Sequence, residues 1–531
     1  MNLNLFLFLL FTACALSAQQ ERSQITLNQI AEEAQALAKE PPRQPKDLAS
    51  GLTSLTYDQY REIRFRPSEA LWWNSESKFR VEFFHLGHLF NDQIEIFEFS
   101  NTHVQEIPFL EDAFDYGQSG YDPVFFNAPD GYSGIRVKYP VNNDDVYDDL
   151  IVFQGASYFR ALGMGHEYGL SLRGLGMNTI GEREDFPRFT KLWLKKPDAS
   201  AKQLTLFALL EGEKVTGAYR FDVFPMGVTK IEVQARLFFR EGGAAEVGIA
   251  PLTSMFMHGE NSRSSIRHDW RPEVHDSDGL LVHANSEWDW YPLENLPGRN
   301  IRNVPKVKLR GFGLLQRDRD FRNYKDLEAH YERRPSAWIE PKGKWPPGEI
   351  ILYTFGTDSE VTDNVVAYWK PDLPAEPVGA VDFAYTITLQ TKDPVHTLAR
   401  VLETRVGQRT LDSHSTTLII EFNRPESLAR DEIESLSIGF DSGAADLLEE
   451  PVIQYSAPEG EPCARLRAHY EVQSKPTLRR TSMGASTLRF DTIDEVADST
   501  ERFLQRHALL RTTLKLMLIG VSLYIVYTFA K

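Results

Sequence analysis

The sequence predicts an all-β protein built as a large N-terminal β-sandwich, a smaller C-terminal β-sandwich and one terminal transmembrane helix. Three observations predict it. Short runs that alternate apolar and polar residues, or are rich in β-branched and aromatic residues, recur along most of the 531 residues with turn residues between them. Sustained helical periodicity is confined to ITLNQIAEEAQALAKE (25–40) and FRNYKDLEAHYER (321–333). The final stretch, Thr512 to Ala530, is almost uniformly apolar.

The elements follow in order. Met1 to Ala18 carries an apolar run from Leu5 to Phe11 and then small residues, the layout of a secretory signal peptide (1–18). Cys14 after Thr12-Ala13 is a poor match to a lipidation site, so cleavage near Ala18 is the expectation. The strand runs are KFRVEFFHL (78–86), DQIEIFEFS (92–100), GIRVKYPV (134–141), KQLTLFALLEG (202–212), TGAYRFDVFP (216–225), TKIEVQARLFF (229–239) and DFAYTITL (382–389). Their spacing favours one large sandwich over 24–392. The Pro-rich KPDLPAEPVGA (370–380) interrupts it without ending it, and the domain break falls between 390 and 399. TTLIIEF (416–422), SLSIGF (435–440) and ARLRAHYEV (464–472) then give 399–482 the rhythm of an immunoglobulin-like module. Residues 483–511 read as a stalk with a helical portion from 491, and 512–530 as a membrane helix of 19 residues, just long enough to cross ~30 Å of hydrocarbon. Arg506, Arg511 and Lys515 precede that span and only Lys531 follows it, a charge order opposite to the topology the signal peptide implies. The signal peptide decides, because long exported domains cross largely regardless of flanking charge.

Composition narrows the function. Hydrophobic residues at 42% and charged residues at 25% are those of a globular chain. With Cys14 and Cys463 as the two cysteines, a disulfide scaffold and a multi-cysteine metal centre are excluded. Lys and Arg number 58 against 75 Asp and Glu, a net charge of −17 that repels phosphate backbones, so nucleic acid is not an expected partner. Neutral sugars are not disfavoured. The glycines at 163, 165, 174 and 176 lack dinucleotide-binding spacing. Ser157 is not in a nucleophile elbow, and His166-Glu167 lacks the second helical histidine of a zinc protease.

Two acidic clusters remain. RPEVHDSDG (271–279) offers carboxylates and an imidazole, and Thr362-Asp363-Asn364 opens the apolar run VVAYW (365–369). Glycosidic cleavage needs one carboxylic acid to protonate the leaving oxygen and one carboxylate to activate water or attack the sugar. HDSDG is equally a turn whose aspartates bond their own backbone, or a calcium ligand set. Trp288, Trp290, Tyr291, Tyr331, Trp338, Tyr368 and Trp369 lie near the clusters in sequence. Their flat faces suit a pyranose, although core packing is the commoner fate of tryptophan. Arg333 and Arg334 in ERRPSAW could bond sugar hydroxyls or pair with acids.

The runs YDQYREIRF (57–65), FQGASYFRALG (153–163), YGLSLRGLGMNT (168–179), PLTSMFMHGEN (251–261), RPEVHDSDGL (271–280), GFGLLQRDRDF (311–321), YERRPSAWIEP (331–341) and TDNVVAYWKP (362–371) resemble the periplasmic glucan biosynthesis proteins of the OpgG/OpgD (MdoG) group. The resemblance covers roughly residues 25–400. It implies a galactose mutarotase-like N-terminal sandwich with a long cleft, followed by a smaller immunoglobulin-like domain. It also implies action on osmoregulated periplasmic glucans, whose backbone is β-1,2-glucan, as an inverting endo-β-1,2-glucanase that needs no cofactor or metal. The alternative it leaves is a non-hydrolytic binding or assembly factor working with the membrane glucosyltransferase.

By motif, the resemblance gives Asp363 as general acid, Asp276 as general base and Tyr331 as a cleft tyrosine near the proton path. His275, Asp278, Trp288, Arg333, Trp338 and Trp369 are the expected substrate contacts. Asp363 is expected to hold its proton near neutral pH through apolar burial beside VVAYW. Inversion requires the two carboxyl groups to stand at least ~6.5 Å apart. GEREDFP (181–187) is longer than the GEEFP usual in the family, so one stretch of cleft wall differs here. The expected location is the periplasm of a Gram-negative bacterium, anchored to the inner membrane by the C-terminal helix.

Overall fold

The computed structural model describes residues 25–43, 50–121, 131–240, 246–261, 269–306, 308–374, 379–394, 401–408, 415–423, 445–448, 452–456, 465–474, 487–491, 511–518 and 521–528. Two large sheets face each other. The first runs Arg80–His85, Tyr132–Tyr139, Asp148–Gln154, Tyr158–Ala161, Ser171–Arg173, Val247–Ser254, Val365–Pro371, Gly348–Phe355 and Arg299–Lys306, with Leu175–Met177 also pairing onto Val247–Ser254. The second is centred on Leu204–Glu211, Val215–Pro225, Thr229–Phe239, Val381–Gln390, Ser336–Lys342, Leu309–Leu315, Gly279–Ala284 and Glu287–Pro292. Pairing is antiparallel throughout except where Arg188–Lys195 lies parallel to Glu95–Phe99.

Alternation of side chains along each strand builds the core. Ile135, Val137, Ile151, Phe153, Leu172, Leu252, Ala367 and Trp369 from the first sheet meet Leu206, Phe221, Val233, Leu280, Val282, Phe312, Ile339 and Ile387 from the second. Thr229–Phe239 shows this plainly, with Ile231, Val233 and Leu237 buried and Lys230 and Gln234 exposed. Leu204–Glu211 is buried along its whole length because both of its faces are covered. On the side away from the core sits the helix Leu27–Leu37, which lays Ile30, Ala31, Ala34 and Leu37 on Phe99, Phe207, Leu209 and Ala218. Thr26 and Gln29 close its N-terminus as a capping box.

All seven strand runs expected in the large sandwich are strands. The helix expected over 321–333 is not continuous. It breaks into Phe321–Tyr324 and a single 3₁₀ turn, Tyr331–Arg333, because Lys325 and His330 take left-handed backbone conformations that stop helical hydrogen bonding. The break lets both Tyr324 and Tyr331 turn into one small core with Met255, Met257 and Val274.

Beyond residue 400, Val401–Gln408, Ser415–Asn423, Ala445–Leu447, Val452–Ser456 and Arg465–Ser474 form a separate five-stranded sheet. The expected strand 435–440 and the signal segment 1–18 lie outside the described residues. Part of the expected stalk is a strand, Thr487–Asp491, paired with Glu287–Pro292. The terminal span corrects the expected membrane helix. Arg511–Leu518 and Val521–Thr528 are antiparallel strands that continue the second sheet, and no helix among the described residues is long and apolar enough to cross a membrane. Uniform apolarity does not distinguish a helix from paired strands. The β-branched and aromatic residues of this run, Thr512, Thr513, Val521, Tyr524, Ile525, Val526 and Tyr527, favour the strand.

Candidate active site

Strands Val247–Ser254 and Val365–Pro371 pair with Ser254 opposite Val365. The chain then passes through Met255 into the short strand Phe256–His258, where Phe256 lies opposite His275. The Asp276 amide donates to the Met255 carbonyl at 2.8 Å. From the other side comes Asn364, fully buried. It accepts from the Phe256 amide at 2.8 Å and donates to the carbonyls of Phe256 at 3.0 Å and Phe355 at 2.8 Å. Asp276 follows a residue paired with Phe256, and Asp363 precedes a residue bonded to Phe256. With consecutive Cα atoms ~3.8 Å apart, this places the backbone of both aspartates in the neighbourhood of Phe256, reached from distant parts of the chain.

Arg334 joins them. Its guanidinium hydrogen-bonds Asp276 Oδ1 and lies over the Tyr331 ring, 4.0 Å from its centre. Burial and the neighbouring Arg160 lower its pKa to about 10, while the charges of Glu360, Asp363 and Glu167 act in the opposite sense. Arg334 therefore stays cationic between two clusters of carboxylates. It packs closely on Gly169, where an added Cβ would stand 2.9 Å from the arginine's own. The bare glycine is what admits the side chain.

Tyr331 is buried, and its hydroxyl donates to Glu360 Oε2 at 2.5 Å. Burial first and the hydrogen bond to Glu360 second push its pKa up, so it remains a donor. Glu360 also accepts from Arg271 Nη1 at 2.7 Å. Burial alone would raise the Glu360 carboxyl, but the Arg271 and Tyr331 hydrogen bonds outweigh it and hold the pKa below the usual value. Arg271 is held in turn by Asp326 at 2.8 Å and Asp269 at 2.8 Å. This ionic hub fixes the loop that bears both Glu360 and the half-buried Asp363.

His275 and Asp278, expected to touch substrate, instead stand behind Asp276. His275 is fully buried, with Nε2 3.0 Å from Glu273 and Nδ1 2.9 Å from Gln316 and 3.2 Å from Asp278. Burial pushes against its charge, but Asp278, Glu273 and Glu260 outweigh it and raise its pKa to about 9. Asp278 accepts the amides of Arg317 and Asp318, and burial raises its pKa to about 6. Glu260, Glu273 and His275 are the described residues whose ligand atoms converge enough to hold a cation. With both ring nitrogens engaged, the imidazolium already supplies positive charge there.

The expected aromatic platform is also displaced. Trp369 lies in the core between the sheets. Trp288 stacks on His283 at 4.0 Å and on Trp338 at 5.7 Å, on the face of the second sheet turned away from the core. All three tryptophans are buried. Arg333 is half-exposed and pairs with Glu332 at 3.5 Å, so of the arginine doublet it is Arg334 that reaches an aspartate. Arg271 and Asn364 lie inside the two acidic clusters but are not themselves singled out by them, and Glu360, Tyr158 and Arg160 carry no signature that sequence spacing alone could pick out. A cavity of about 610 Å³ lies elsewhere, at the edge of the second sheet, lined by Gln93, Glu95, Glu106, Phe109 and Tyr132 among others.

The sequence profile of the family described as periplasmic glucan biosynthesis protein, MdoG, matches residues 25–482. The chain is 42% identical over 434 residues to the glucans biosynthesis protein G of Ralstonia nicotianae, covering 81% of this chain and 84% of that one. On this match and identity, spanning the residues that assemble Asp276, Arg334 and Asp363, the chain belongs to the periplasmic glucan biosynthesis (MdoG) family.

Proposed function

We propose that this protein acts in the periplasm on osmoregulated glucans as they are made, cleaving the β-1,2-glucan backbone with inversion. Asp363 gives its proton to the departing glycosidic oxygen. A water attacks the anomeric carbon from the opposite face, the carbon–oxygen bond breaks, and the water's proton passes to Asp276. What supports the reading is that Asp276 and Asp363 each adjoin a residue held to Phe256, and that the Arg334 guanidinium bonds the first and feels the charge of the second. A guanidinium in contact favours an ionised carboxylate, the state a base must start in. Tyr331, packed under Arg334 and bonded to Glu360, keeps the cation aligned.

Incubation of the full chain with linear β-1,2-glucan tests this. New reducing ends of inverted configuration should appear and fall at least ~100-fold in Asp363→Asn and Asp276→Asn, the scale on which general acid–base groups act. Glucan binding without products would favour a non-hydrolytic assembly role beside the membrane glucosyltransferase. Undiminished cleavage by Asp363→Asn would overturn the assignment.

A further inference from the structure

The loop 181–187, longer than its counterpart in the family pattern, folds back onto the first sheet. The Asp185 amide donates to the Met177 carbonyl at 3.0 Å, and Arg299 Nη2 holds the carbonyls of Ile180 and Gly181 at 2.7 Å each. Glu184 accepts from Arg173 Nη1 at 2.6 Å. Arg173, nearly buried, donates from Nε to Thr253 at 2.8 Å. Its guanidinium lies near two rings, 4.5 Å from the centre of Tyr158 and 5.8 Å from that of Phe186. Phe186 is 50% exposed, an unusual placement for a phenylalanine beside a charged pair. Thr253 adjoins Ser254, which pairs with Val365 two residues from Asp363.

The arrangement has the chemistry of a neutral sugar site. The charges of Arg173 and Glu184 cancel, so an anion gains nothing there, yet together they offer a donor and an acceptor side by side for neighbouring hydroxyls. An exposed aromatic face beside them suits the C–H face of a pyranose. The Tyr158 hydroxyl lies within the electrostatic reach of both Glu184 and Asp363, which joins this patch to the aspartates.

Resting on the glucanase reading above, we propose that Phe186, with Tyr158 and the Arg173–Glu184 pair, forms a glucose-binding subsite next to Asp363. The stacking ring is the phenylalanine that GEREDFP shares with GEEFP, and the lengthened stretch before it carries Glu184. Calorimetry of the full-length Asp363→Asn protein with linear β-1,2-glucooligosaccharides tests it. Adding Phe186→Ala should weaken binding about 5- to 10-fold, and Phe186→Tyr should restore it. In the cleaving protein Phe186→Ala should raise KM with kcat little changed. Phe186 is exposed, so an unchanged melting temperature should accompany these effects. Equal affinity of the Phe186→Ala protein for glucan overturns the subsite and leaves the glucanase reading standing. If the Asp363→Asn parent binds no glucan at all, the subsite and the reading fall together.

Discussion

Asn364 shows how much one side chain can decide. It is sealed from solvent, and its amide makes three hydrogen bonds to the backbone of two strands that no ladder joins at that point. Replacing it with alanine leaves the Phe256 amide and two carbonyls buried without partners, at about 1–3 kcal/mol for a lost group of this kind. Asn364→Ala should therefore lower stability by about 2–4 kcal/mol in denaturant titration. It should also reduce glucan cleavage more than that loss of folded protein explains, because Asp363 is its chain neighbour. Asn364→Asp, which keeps the acceptor and loses the donors, should be nearly as harmful. Arg334 belongs to the same scale: the ERRPSAW motif holds two adjacent arginines, and only the fold separates the one on Asp276 from the one paired with Glu332.

At the scale of elements, the short strand Val274–His275 carries a buried ionised network. His275 is faced by Glu273, Asp278 and Glu260, with Gln316 and Tyr324 completing the enclosure. Its pKa of about 9 in the fold, against 6.5 in the free chain, means that the folded state holds the proton more tightly. The stabilisation is fully present below pH 6.5 and is lost as pH rises through 9. Asp278, raised to about 6 from 3.8, works in the same direction at lower pH. Melting curves should show stability falling between pH 6.5 and 9 by up to roughly 3 kcal/mol, and His275→Gln should flatten that slope. A wild-type curve already flat across this range would refute the network's charge state. The glycines of Leu309–Leu315 make a second point about elements. Trp338 lies across Gly311 and Gly313, and a Cβ at Gly313 would stand 2.2 Å from the Ala337 carbonyl. Strand pairing there depends on two residues that propensity alone counts as unfavourable.

Across the whole molecule, contacts among the described residues tie the sandwich to the C-terminal sheet. Arg317 lies over Trp290, donates to the Val401 carbonyl at 3.0 Å and pairs with Asp393 at 2.9 Å, both charged side chains being almost wholly buried. The Thr404 amide reaches Glu260 at 3.3 Å, which links that sheet to the cluster behind Asp276. Removing one partner of a buried ion pair strands the other, so Asp393→Ala should cost about 3 kcal/mol in denaturant titration. The net charge of −17 bears on the ligand. Binding of an uncharged glucan should change little from low to high salt, and a steep salt dependence would point to an anionic one.

The all-β class, the strands of the large sandwich and the positions of the two aspartate motifs were legible in the sequence, because alternation and turn chemistry are local and the motifs are contiguous. The nature of the last apolar run was not, since its apolarity suits helix and paired strands alike, its β-branched and aromatic residues only lean toward the strand, and the pairing with Thr487–Asp491 separates them. Nor was the fate of Trp288, Trp338, Trp369 and His275, whose burial depends on which face of which sheet each occupies. The tertiary structure alone decided that Arg334 pairs with Asp276 within the electrostatic reach of Asp363, because residues beside both aspartates are held to Phe256. Contacts between residues so far apart along the chain leave no periodicity for a linear reading to detect.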